Sequence, residues 1–256
     1  MRSFWALVGL VMLAGTAFVR GQALDFQVQA GSDTKTLTLA SGPNDTWTYS
    51  STGTMTLGNS KIYTTAIGTT GQSGLVIDAD PSINYGFGVT NDGSTTQKYT
   101  FTFPMPSMAL AVNLPPGTYA VSASFGDTLT AAPGDTAQFS LDSGTTTYQQ
   151  SFINGSDAGV DIVVPAVDNP ETVTAPSGSA NTGVFGFTNS TGTLTLSSTG
   201  TAMSITTTFD LSPGDSASFS GSFVVTATPE PASFGLGLLA LVAFAGLVIR
   251  ARRSRA

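Results

Sequence analysis

The chain has 256 residues and a formal net charge of −7, with no histidine and no cysteine. The first absence removes the commonest general base, the usual zinc ligands and every Ser-His or Cys-His nucleophile; the second removes disulfide and thiolate chemistry. Between residues 24 and 228, fifteen acidic residues are set against Lys35, Lys61 and Lys98, a formal charge of −12, which disfavours nucleic acid and anionic membrane as partners.

At the N-terminus, Arg2, an apolar stretch over residues 4–19 and the small-residue site Gly21-Gln22-Ala23 form the three-part pattern of a secretory signal peptide. Cleavage is expected after Ala23, with Gly15 and Ala17 marking an alternative cut after Ala17. The chain is therefore expected to meet the Sec translocon and signal peptidase and to lose residues 1–23.

From residue 24 onward, apolar and small polar residues alternate with period two, which puts alternate side chains on one buried face of a strand. Leu24, Phe26 and Val28 open the series, followed by Leu37 and Leu39, Trp47 and Tyr49, and Met55 and Leu57. Ile83, Tyr85, Phe87 and Val89 alternate up to Asn91-Asp92-Gly93, residues that tolerate the positive φ of a tight turn, and Tyr99, Phe101 and Phe103 resume the pattern. This reads as a hairpin over residues 83–103. Tyr119 to Phe125, Ala137 to Leu141, Val184 to Phe187, Leu194 and Leu196, Met203 to Leu211 and Phe219 to Val225 continue the series, with a Pro-containing loop expected over 165–182. The tally is on the order of twelve strands and no soluble helix. Scarce charge with abundant Thr, Ser and Gly fits exported β structure, and the regular alternation argues against disorder.

Pro133-Gly134-Asp135-Thr136-Ala137-Gln138-Phe139-Ser140 echoes Pro213-Gly214-Asp215-Ser216-Ala217-Ser218-Phe219-Ser220. Duplicated domains would produce such an echo, but so would a shared way of turning into a strand; little else matches, so a single domain over 24–227 is the simpler account.

Few residues suggest a binding site. Asp78 and Asp80, two apart on a strand, and Asp157 with Asp161 are candidate oxygen ligands for calcium, weighed against ordinary solvated turn aspartates. Trp47 and Tyr49 share a strand face and are the leading candidates for a sugar-stacking platform, with Tyr63, Tyr85, Tyr99, Tyr119 and Tyr148 as further aromatics; core packing is the competing reading. Glu171 is the one glutamate between the signal and the tail, and a Ser-Lys dyad would need one of the three lysines buried beside a serine. Asn154-Gly155-Ser156 and Asn189-Ser190-Thr191 match the N-glycosylation pattern, as chance allows. No catalytic constellation, no resident metal and no cofactor is expected.

The C-terminus carries Pro229-Glu230-Pro231, an apolar run over 232–249, then Arg250, Arg252, Arg253 and Arg255. At about 1.5 Å per residue a helix of this run spans roughly 27 Å, close to the hydrocarbon thickness of a bilayer. Arginines resist translocation, so residues before 229 are expected on the far side of the membrane. Pro229 and Pro231 stop the helix and hold an extended segment accessible to a processing enzyme.

This tail, residues 228–256, resembles the PEP-CTERM sorting tail of Gram-negative bacteria that make exopolysaccharide. Asp80-Pro81-Ser82-Ile83-Asn84-Tyr85-Gly86-Phe87 and the segment from Leu211 to Phe219 resemble strand signatures of exported PEP-CTERM proteins. The resemblance implies an exosortase, a membrane-embedded transpeptidase, that cuts near Pro229-Glu230-Pro231 and passes the protein outward. It also implies one antiparallel β-sandwich, of jelly-roll or immunoglobulin-like type, with two sheets packed through their apolar faces. The expected function is that of a non-enzymatic surface or matrix protein associated with extracellular polysaccharide. The alternatives are a carbohydrate-binding module using an aromatic face and, disfavoured by the missing histidine, a secreted hydrolase.

Overall fold

The computed structural model describes residues 24–43, 46–67, 72–78, 81–104, 114–132, 135–141, 147–163, 171–174 and 188–227. Ala23 and the rest of the expected signal peptide, Asp80, the expected strand at 184–187, and the expected sorting tail with Pro229, Glu230, Pro231, Arg250, Arg252, Arg253 and Arg255 lie outside them. No helix occurs among the described residues, and so none long and apolar enough to cross a membrane.

Period-two alternation sets the pattern from the first strand. In β1 (Leu24–Ala30), Leu24, Phe26, Val28 and Ala30 are buried while Asp25, Gln27 and Gln29 face outward. Gly31, at φ 58°, turns the chain into β2 (Asp33–Ser41), which pairs with β1 from Leu24↔Leu39 to Ala30↔Asp33. The second layer begins with β3 (Thr46–Tyr49), β4 (Met55–Leu57), β5 (Ser60–Thr64), β6 (Gly74–Asp78) and β7 (Ser82–Asn91). The chain then crosses to β8 (Gln97–Phe103), returns as β9 (Gly117–Thr130), and crosses again to β10 (Thr136–Ser140) and β11 (Thr147–Ile153). Short β12 (Ser156–Asp157), β13 (Ile162–Val163) and β14 (Glu171–Thr174) flank those two. Last come β15 (Thr188–Leu196), β16 (Met203–Leu211) and β17 (Ser216–Ala227).

One layer runs β2–β1–β8–β16, and β10 and β11 share the far edge of β16. The other runs β15–β9–β17–β7, and β5 and β6 share the far edge of β7. Every pairing among the described strands is antiparallel. β2 joins the layers, because its body pairs with β1 while Ala40 and Ser41 pair with β3. The fold is thus a curled, all-β antiparallel sheet whose two halves face each other across one core.

Aromatic rings fill that core. Phe87 of β7 stacks on Phe103 of β8 at 5.3 Å, Phe209 of β16 meets Phe219 of β17 edge-on at 5.0 Å, and Phe125 of β9 stacks on Tyr148 of β11 at 5.7 Å. These offset and edge contacts suit the ring quadrupoles and come on top of burying the ring surface. Two polar ties cross the same space: Ser60 Oγ lies 2.7 Å from the Tyr99 hydroxyl, and the Tyr85 hydroxyl reaches Gln149 and Thr207.

The expected hairpin over 83–103 is corrected. β7 pairs with β5, β6 and β17, β8 pairs with β1 and β16, and the two strands lie in opposite layers. Residues 92–96 form an arch rather than a hairpin turn. Asn91, fully buried, holds it: Nδ2 donates to the carbonyls of Thr95, Leu211 and Ser212, and Oδ1 accepts from Gly93 N–H. Alternation is blind to this difference, since a strand buries one face whether its partner is beside it or across the core.

The Pro-Gly-Asp echo is resolved the same way. The segment before β10 carries the chain from the second layer to the first, and Ser212 to Asp215 carries it back from β16 to β17. The crossings are bonded together: Asp215 Oδ1 accepts from Ala132 N–H at 2.9 Å, Ser212 N–H donates to the Gln138 carbonyl, and Gly214 N–H donates to the Asn91 carbonyl. Asp135 to Ser140 and Pro213 to Ser220 thus each lead from a crossing into a strand that packs on the same core. The loop expected over 165–182 contains β14, whose backbone pairs with β10 from Phe139↔Glu171 to Thr136↔Thr174.

Candidate functional site

Trp47 and Tyr49 do share a strand face, and it is the inner one. Trp47 is 6% exposed, and the Tyr49 ring sits edge-on to Phe26 at 4.9 Å and stacks on Phe87 at 6.4 Å. They pack the core rim instead of offering a flat exposed platform. Trp47→Ala is accordingly expected to cost about 3–5 kcal/mol of stability, as for a large aromatic removed from a core, measured by denaturant unfolding. Tyr85, Tyr99 and Tyr148 are buried as well, each with its hydroxyl hydrogen-bonded within the core.

The acidic candidates separate too. Asp78 ends β6 opposite Thr46 and Ser82, and its proposed partner Asp80 lies outside the described residues. Asp157 and Asp161 cap their own loop, accepting from Gly159 N–H at 2.6 Å and Ser151 N–H at 3.2 Å. Burial raises the Asp161 carboxyl above its ordinary range, with nearby Asp157 adding to the rise and the Ser151 N–H opposing it. No group of three or more acidic residues suited to a metal occurs among the described residues. Lys35, Lys61 and Lys98 are exposed, so none has the burial a Ser-Lys dyad requires, and Lys61 pairs with Asp92 at 2.7 Å on the surface. Asn154, at φ 52°, is engaged in a turn, its side chain bonded to Thr199, Thr201 and Ala202.

Among the described residues, one recess was missed by sequence reading. It is a groove of about 230 Å³ on the outer face of the second layer, lined by Thr65, Ala66, Gly126, Thr128, Ser218 and Ser220, with Asp127 and Phe219 completing its floor. Its shape comes from small residues in register. Ser220 lies opposite Gly126 and Ser218 opposite Thr128 where β17 meets β9. On the other side of β17, Ser220 faces Gly86 and Ser218 faces Gly88 of β7. The backbone of Thr65 and Ala66 passes over Gly86 and the Tyr63 ring lies over Gly88, positions where any side chain on β7 would collide with them. Those two glycines therefore let the end of β5 fold over the sheet and form the groove wall.

Beneath that floor, Asp127 points the other way. It shares the inner face of β9 with Phe125 and Leu129 and sits opposite Phe219, so its carboxylate is turned toward the aromatic core. The residue is 6% exposed and Oδ2 is buried without a hydrogen-bond partner. Burial pushes the carboxyl up to about 7, partly opposed by its own backbone N–H. Asp215, fully buried in the neighbouring arch, is also raised by burial, against the pull of the Ala132 N–H, and its Oδ2 is likewise unpartnered.

No protein-family model and no curated protein matches the chain. Among solved structures, TmCBM61 in complex with β-1,4-galactotriose aligns with 66% of this chain and 83% of its own at 12% identity and a TM-score of 0.23. The Arthrobacter globiformis T6 isomalto-dextranase complexed with panose aligns with 79% of this chain and 30% of its own at 15% identity and a TM-score of 0.19. These values are too low for either likeness to bear on what this chain binds or catalyses.

Proposed function

We propose that this is an exported, non-enzymatic protein of the cell surface or extracellular matrix, sorted through its C-terminal tail by an exosortase-type transpeptidase and associated with exopolysaccharide. The observation that carries the reading is the order Pro229-Glu230-Pro231, apolar run, arginine cluster at the C-terminus, matched by a signal-peptide pattern at the N-terminus. The positions of the first and last strands are compatible with processing at both ends. β1 begins at Leu24, so a cut after Ala23 spares its ladder; β17 ends at Ala227, so a cut near Pro229 removes none of its pairs with β7 and β9. Because β17 is paired on both sides, the tail hangs from an interior strand, and tension on the tail is shared by two ladders.

In this reading the domain acts by its physical presence: a −12 segment without cysteines that binds water and cations and adds cohesion to a polysaccharide layer. Intact mass of the protein recovered from fractionated native cells and matrix tests it. A matrix species starting near Leu24 and ending near Pro229 is the expected result. A membrane-bound species that retains Arg255 would show a plain anchor and overturn the sorting.

A further inference from the structure

We infer that, before any processing of the tail, the domain turns one fixed end toward the lipid bilayer: the end that carries Leu24, the Asn154 turn and the last residues of β17, with the three arches facing away. This rests on the reading of residues 232–249 as a membrane span and adds to it which surface of the domain the lipid meets. Register separates the two ends. The three crossings between layers, 92–96, 131–135 and Ser212 to Asp215, share one of them. Ser216, opposite both Thr90 and Thr130, marks that level in the second layer, and Leu211 opposite Gln97 marks it in the first. At the other end, Ala227 lies opposite Tyr119, Val225 N–H donates to the Pro81 carbonyl, and Met203 lies opposite Ile153. Gln27 faces Thr102, so Leu24 reaches the same end, and so does the Asn154 turn, tied to Thr199, Thr201 and Ala202.

Reach then fixes the orientation. The 12 residues of β17 put Ser216 about 36 Å from Ala227. Five extended steps from Ala227 to Ala232 cover at most about 18 Å. Arches placed on the bilayer would hold Ala227 about twice as far from it as the chain can span. Two of those steps are Pro229 and Pro231, whose rings favour an extended chain that continues the strand instead of doubling back. Charge would favour the opposite orientation. Lys61 and Lys98 sit at the arch end, opposite Thr90 and Asp210, whereas Asp78 and Asp157 sit at the tail end, opposite Ser82 and Phe152. Attraction of cations to anionic lipid would therefore turn the arches down, and the short tether forbids it. The outward end is also firmly built: Gly214 N–H donates to the Asn91 carbonyl at 2.7 Å and Ala132 N–H to Asp215 Oδ1 at 2.9 Å, so one arch braces the other two.

The test uses the full chain in phosphatidylcholine vesicles, with and without phosphatidylglycerol, that carry a nitroxide on the lipid headgroup. Because the chain has no cysteine, Ser94→Cys in an arch and Ser156→Cys beside the Asn154 turn each offer a single, exposed thiol for a fluorophore. Asn59→Cys and Thr195→Cys form a second pair at the same two ends, and melting temperatures show which variants are folded. Labels at 156 and 195 are expected to lose most of their emission to the nitroxide, and labels at 94 and 59 to lose little, in both kinds of vesicle. Equal quenching at the two ends, or stronger quenching at 94 and 59, in chains that float with the vesicles would overturn the orientation and leave the membrane span standing. A chain that does not float with the vesicles would overturn the span and the orientation together.

Discussion

Acidification from about pH 8 to about pH 5 is expected to stabilise the fold, the reverse of the usual carboxylate behaviour. Asp127 is raised from an ordinary value of 3.8 to about 7 in the folded state, so the native protein holds a proton that the unfolded chain has lost. Stability therefore falls as pH rises between those values, and the full penalty is present above the folded value. At 1.36 kcal/mol per unit the gap sets an upper limit of about 4 kcal/mol, of which a relaxing native state will show a fraction. The shifted carboxyls Asp161 and Asp215 are also raised, so they act in the same direction. Asp127→Asn should raise the melting temperature at pH 8, change it little at pH 5, and flatten the profile between. A wild-type melting temperature that stays level or drops on going from pH 8 to pH 5 would sink the argument.

That carboxylate also shows where sequence reading stops. Strand faces were legible: the alternating residues of β1, β7, β8, β9, β16 and β17 are buried as the period demands. By the same rule Asp127 falls on the apolar face, yet its place between Phe125 and Leu129 was passed over because the aspartate interrupts the pattern. β5, β6 and β11 were missed because their runs are short and mixed, Ser60-Lys61-Ile62-Tyr63-Thr64 for instance, and are held by β7 and β16 rather than by their own propensity. Partner choice was the larger loss. Nothing local distinguishes an arch at Asn91 from a hairpin turn there, because what decides it is a set of carbonyls more than a hundred residues away, at Leu211 and Ser212.

The groove was hidden for a related reason. Ser218, Ser220 and Ser222 are equivalent in the sequence, and only the strands beside them make Ser222 paired with Ser124 and Ser220 free opposite Gly126. Nothing in the alternation of Ile83, Tyr85, Phe87 and Val89 marks Gly86 and Gly88 as the places where the chain beyond Ile62 lies against the sheet. Aromatic residues misled in the other direction. Trp47 and Tyr49 have polar neighbours in the chain, but a strand between two layers buries one face regardless of how polar the other is.

Gly221→Ala is expected to be among the most damaging single-methyl changes in the domain, because of what occupies the missing Cβ position. Gly221 is on the inner face of β17 between Phe219 and Phe223, and a Cβ there would collide with the Tyr85 hydroxyl and with Gln149 Oε1. Neither can retreat easily: Tyr85 donates to Gln149 Oε1 at 2.6 Å, lies 2.8 Å from Thr207 Oγ1, and Gln149 Nε2 donates to the Ser222 carbonyl at 3.1 Å. Overpacking together with buried polar atoms left unpaired gives an expected loss of roughly 3–6 kcal/mol. Against a typical total of about 5–15 kcal/mol, that brings the domain near unfolding. Tyr85→Phe alone should cost about 1–3 kcal/mol, since it leaves the Gln149 Oε1 acceptor and the Thr207 hydroxyl donor unpaired. In the double variant the missing hydroxyl makes room for the methyl, so the costs should fall short of their sum by at least about 1 kcal/mol in a denaturant-unfolding cycle. Simple additivity would mean the hydroxyl is not what excludes the methyl. A coupled result would identify the trio as the element that aligns the layers, because Tyr85 comes from one and Gln149 and Thr207 from the other.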